Sequence, residues 1–204
     1  MNKKLGIISS LITLVAVTFF ALAMILKNPF PSYFICIFIA LGFIIMISSF
    51  VSFMKKENIA AGISAIIFAS LYGILCIIVY FTQLTTVRLS NLTGQAMMLL
   101  TFSQFNLFFN YDILGYGFMA LSTFFIGITI EIKTIGDKWL KNLLMIHGIF
   151  AISCFVLPML NLFNADMKNG DIIGTIVLEI WCIYFIPICI LSYKHFRNIK
   201  ETNV

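Results

Sequence analysis

Residues 60–81 read AAGISAIIFASLYGILCIIVYF, 22 consecutive positions without a charged side chain. A helix needs about 20 such residues to cross a hydrocarbon core of roughly 30 Å, so this stretch reads as a transmembrane helix. Ala61, Ala65, Ala69 and Gly73 set a small residue every four positions along one of its faces. Rows of this kind let helices approach closely where lipid removes the hydrophobic drive to associate.

Outward from this segment the pattern repeats. The spans predicted are about 5–26, 33–54, 60–81, 113–130, 139–160 and 172–193, with Asp112 as N-cap of the fourth and Asp137 opening the fifth. The fold class expected is all-α, a polytopic membrane protein forming a single transmembrane domain over residues 1–204. The connection between spans three and four is the long one. Within it, residues 95–110 (QAMMLLTFSQFNLFFN) place apolar side chains at 98, 102, 105 and 109 and polar ones at 103, 106 and 110. That spacing predicts an amphipathic helix lying in the outer interface.

Composition agrees. Of 204 residues 61% are apolar and 10% charged, with a mean hydropathy of +1.07, whereas a soluble domain carries about 25% charged residues. The net charge of +5 is dispersed between apolar runs, which excludes a nucleic-acid surface and leaves the lipid bilayer as the first partner. All five cysteines fall inside the apolar runs and read as small apolar residues. The first span, about 22 residues long, exceeds the roughly 7–15 of a cleaved signal.

Lys3, Lys4, Lys55, Lys56, Lys133, Lys138, Lys141, Lys194, Arg197 and Lys200 fall on one set of connections, and Lys27, Arg88 and Lys168 on the other. Cytoplasmic loops carry the excess, so both termini are expected in the cytoplasm.

Few polar residues stand where lipid or helix packing does not explain them. Glu179 lies near the middle of span six, at a cost of roughly 2.5–3.5 kcal/mol on insertion scales. His147 lies inside span five. Together they form a candidate intramembrane polar site, and Gln83, Arg88 and Asp112 a candidate outer vestibule. The only histidines are His147 and His195, so no H-E-x-x-H zinc site exists. Neither a metal nor a cofactor is expected. Residues 164–171 (NADMKNGD) fail as a calcium loop because Lys168 and the misplaced Gly170 break the ligand pattern.

The runs Tyr80-Phe81-Thr82-Gln83-Leu84-Thr85 and Tyr111-Asp112-Ile113-Leu114-Gly115-Tyr116-Gly117-Phe118 resemble six-span membrane proteins of Gram-positive bacteria that have no assigned activity. The resemblance covers spans three to five. It implies the fold and a plasma-membrane location, and no mechanism. Two function classes stay open. One is transport or capture of a small solute, proton or cation, by a membrane subunit that works with a membrane or ATPase partner and has Glu179 as its central group. The other is a non-catalytic accessory protein that packs through small-residue helix faces. Enzymatic activity is not expected, and the oligomeric state is not readable.

Reporter fusions or cysteine accessibility should place Lys56, Lys138 and Lys200 on the cytoplasmic side, with Ser90 and Asn169 outside. Finding Lys56 and Ser90 on one side would defeat the six-span assignment.

Overall fold

In lipid every backbone N–H and C=O must be paired within the protein, which favours helices for any apolar run long enough to span. The computed structural model describes residues 1–103, 106–160 and 170–199. Lys168 and the rejected calcium-loop residues Asn164 to Asp166 lie outside the described residues. The helices are α1 (Asn2–Ile25), α2 (Pro29–Val51), α3 (Ile59–Thr82), α4 (Gly94–Leu100), α5 (Leu107–Thr129), α6 (Ile135–His147), α7 (Ile149–Met159) and α8 (Gly170–Asn198). Among the described residues there is no strand, and six segments are long and apolar enough to cross a membrane. This is the architecture of a multi-pass membrane protein.

The ends of these helices follow from local chemistry. Between α1 and α2, Lys27 adopts a left-handed φ of 51°. Its N–H reaches the Met24 carbonyl at 3.0 Å, and the Asn28 N–H reaches the Ala23 carbonyl at 3.1 Å. That is a Schellman closure with lysine where glycine is usual, and Pro29 then starts α2 at the position proline tolerates best. At the start of α6, Thr134 accepts from the Asp137 N–H while the Asp137 carboxylate accepts from the Thr134 N–H, a reciprocal capping box. The fifth span is two helices, α6 and α7, meeting at Gly148. A Cβ there would stand 2.7 Å from that of Phe124 on α5.

Around the bundle α8 packs on α1, α1 on α2, α2 on α3, α3 on α5, α5 on α6 and α7, and α6 returns to α8. The contacts are close because glycine is repeatedly the residue at the crossing. A Cβ added at Gly6 would lie 2.6 Å from the Phe196 ring, at Gly42 2.6 Å from the Thr13 hydroxyl, and at Gly127 2.8 Å from Met145. Of the small-residue row, Ala65 and Ala69 are buried, and the Ala65 carbonyl accepts from the Ser122 hydroxyl of α5 at 2.8 Å. Gly73 meets Ile44 of α2.

Two expectations differ from the structure. Asp112 does not cap a helix at 113, because α5 begins six residues earlier, at Leu107, after Asn106. The carboxyl of Asp112 instead faces α3. The helical part of 95–110 is divided: Gly94–Leu100 forms the short α4, and Leu107 onward belongs to α5. Ahead of α5, the Asn106 side-chain amide donates to the Thr101 carbonyl and to the Thr101 and Ser103 hydroxyls. Those bonds compete with helix.

Ala65→Leu and Gly73→Leu should each overpack a seam and cost roughly 1–3 kcal/mol in thermal unfolding. Ile67→Leu, at a side chain 53% exposed, should be neutral. Equal tolerance at the three positions would refute the packing assignment.

Candidate functional site

Helical spacing brings Cys76 and Tyr80 of α3, and Gln83 just past its end, to one side, because residues three and four apart are neighbours. The same periodicity sets Asp112 and Tyr116 one turn apart on α5. Where α3 meets α5 the Asp112 carboxyl is buried, 5% exposed. Its Oδ2 accepts from the Tyr80 hydroxyl at 3.0 Å and its Oδ1 from the Cys76 thiol at 3.6 Å. Both donors are neutral, and no ion pair among the described residues includes Asp112.

Asp112 lies in the wall of a cavity of about 690 Å³ at the end of the bundle opposite the N-terminus. Tyr33, Tyr80, Phe102 and Phe109 supply aromatic walls, Ser32 and Asn28 polar ones, and Lys27 stands at the α1–α2 turn. Gln83 braces the aromatic segment from outside the cavity. Its side-chain amide donates to the Leu100 carbonyl at 2.7 Å and its oxygen accepts from the Phe102 N–H at 2.9 Å. Phe102 is thereby held against Tyr33 and Phe109, with ring centroids 5.7 and 5.6 Å away. Arg88 stands apart, its guanidinium 4.5 Å over the Phe30 ring. Of the three vestibule residues, then, Asp112 lines the cavity, Gln83 fixes part of its wall, and Arg88 does neither.

Below Asp112 five rings close a circuit across the bundle. Tyr72 meets Phe43 at 5.4 Å, Phe43 meets Phe185 at 6.2 Å, and Phe185 meets Trp181 at 5.0 Å. Trp181 then meets Tyr116 at 5.3 Å, and Tyr116 returns to Tyr72 at 5.7 Å. Beyond it, at the end of the bundle carrying the N-terminus, lies a second cavity of about 490 Å³ whose wall includes Glu131, Lys133, Asp137 and His195. Asp137 Oδ1 bonds His195 Nδ1 at 2.6 Å. Asp137 Oδ2 is taken by the Lys133 and Thr134 N–H groups and the Thr134 hydroxyl. Lys55 and Lys133 pair with Glu131 at 2.7 and 3.2 Å.

His147 lines neither cavity. It is 1% exposed, and its bonds follow from the donor inventory. Trp181 Nε1 can only donate, so His147 Nε2 accepts from it at 3.1 Å. His147 Nδ1 then carries the proton and donates to the Thr123 hydroxyl at 2.8 Å, which in turn donates to the Ala120 carbonyl. Every group in that chain is satisfied. Glu179 also lines neither cavity, and its Oε1 is a buried atom with no hydrogen-bond partner.

Sequence reading missed Tyr33, Tyr80 and Cys76 around Asp112. The 76–80–83 spacing was the available signal. It also missed the pairing of Asp137 with His195, 58 residues apart, which only the closure of α6 on α8 creates. Among the described residues no group of three or more His, Cys, Asp or Glu could hold a metal ion. No family model, curated protein or solved structure matches the chain.

His147→Leu should leave the Trp181 N–H and the Thr123 hydroxyl without a partner and destabilise by roughly 1–3 kcal/mol per group. His147→Gln, which can still accept and donate, should recover part of that loss in thermal unfolding.

Proposed function

We propose that this chain is a multi-pass protein of a bacterial plasma membrane, its termini cytoplasmic, that captures a small solute from the outer side as a transporter or its membrane subunit. One observation carries the reading: Asp112 is a buried carboxyl in a cavity wall, held by two neutral donors and no cation. A carboxyl within a membrane span is expensive and marks a pathway or ligand group by default. Structural carboxyls in such places are paired, as Asp137 is with His195.

Two further features fit. The five-ring circuit lies between the two cavities, which suits a solute path closed at its middle. Gly148 divides the fifth span and the wide turn Gln83–Val87 ends α3, and π turns are frequent at functional sites. Asp112 replaces Glu179 as the central group in this reading because Asp112 lines the larger of these two cavities and Glu179 lines neither. The accessory reading is less favoured, since Ala65, Ala69 and Gly73 are occupied within the chain.

Asp112→Asn keeps the size and still accepts from Tyr80, but cannot ionise. Solute binding or uptake in proteoliposomes should be lost while the melting temperature stays within a few degrees of wild type, with Glu179→Gln close to wild type in both. Full activity in Asp112→Asn would overturn the assignment.

A further inference from the structure

The cavity at Asp112 also specifies a ligand class. We propose that it takes an organic ammonium ion with an aromatic or aliphatic body, which rests on the reading of this cavity as the solute site. A metal ion would find too few ligands. Calcium takes about 6–8 oxygens and magnesium a near-octahedral set, whereas among the described residues Asp112 is the only carboxylate on the lining, and it is bonded to a phenol and a thiol. An anion would meet that carboxylate and a largely apolar wall. A neutral solute would bring no counter-charge to an ionised Asp112.

An organic ammonium satisfies each surface. Its positive charge suits the Asp112 carboxylate, and its methyl groups or ring suit Phe20, Tyr33, Phe102 and Phe109. Ring faces attract diffuse cations, the basis of aromatic recognition of ammonium groups. A volume of about 690 Å³ lies within the roughly 300–1,000 Å³ usual for small-molecule sites. Lys27, the cation among the described lining residues, sits on the exposed turn and forms no ion pair with Asp112. On α8, Gly174 lies on the lining, and among the described residues an added Cβ there would meet no heavy atom within 4 Å.

Thermal shift of the purified full chain tests this with phenethylammonium, tetramethylammonium, sodium, calcium and the neutral isostere 2-phenylethanol. Both ammonium ions should raise the melting temperature saturably. Asp112→Asn should weaken them by roughly 30-fold or more, as loss of one partner of a buried charge pair does. Gly174→Leu, which fills the cavity from a site with room for it, should melt normally and lose the response. That keeps the test valid if Asp112→Asn folds poorly. An Asp112-dependent response to sodium, calcium or the alcohol and not to the ammonium ions would overturn the ligand class and leave the solute site standing. A response to no probe that depends on Asp112 or Gly174 would overturn both.

Discussion

Helices in lipid gain nothing from hiding apolar surface against one another, because the solvent is as apolar as they are. What remains is contact at short range, and glycine supplies it here: Gly6 under Phe196, Gly42 under Thr13, Gly73 under Ile44, Gly127 under Met145. Each notch admits a side chain from the next helix and fixes the distance between two backbones. The bundle interior is narrow as a result, so the five rings of Phe43, Tyr72, Tyr116, Trp181 and Phe185 are enough to fill its middle.

Polar groups in such an interior must be answered, and most are. His147 sits in an ordered chain of donors from Trp181 to the Ala120 carbonyl. Lys141 reaches the Ile128 and Ile130 carbonyls at the end of α5, where a cation satisfies carbonyls that the helix leaves free. Against that background the two neutral donors on Asp112 stand out as an incomplete shell opening on free volume.

Much of this was legible in the sequence and some was not, for identifiable reasons. The apolar runs located six helices because length and hydropathy are local properties. Helix ends drifted where side chains act at a distance. Asp112 reads as a cap when the chain is followed from 113 backward, yet Tyr80 and Cys76 draw it inside a helix that starts at Leu107. Asp112 and Gln83 were singled out as polar residues near a span end, but their different tasks depend on partners 32 and 19 residues away. Glu179 looked more telling than Asp112 because depth can be counted along a sequence, whereas the wall of a cavity cannot.

The pairing of α1 with α8 joins two helices that are made far apart in time. Lys3 donates to the Ile199 carbonyl at 2.6 Å across 196 residues, and Gly6 receives Phe196. At about 5–20 residues per second, α1 waits roughly 10–40 s on the ribosome's clock before its partner is made. During that wait it carries Ser9, Ser10 and Thr13 on the face that α8 and α2 later cover. Their hydroxyls already donate to the Gly6 and Ser9 carbonyls of their own helix, so the unfinished chain holds no stray donor against lipid. The first helix is built to be left alone until the last one arrives.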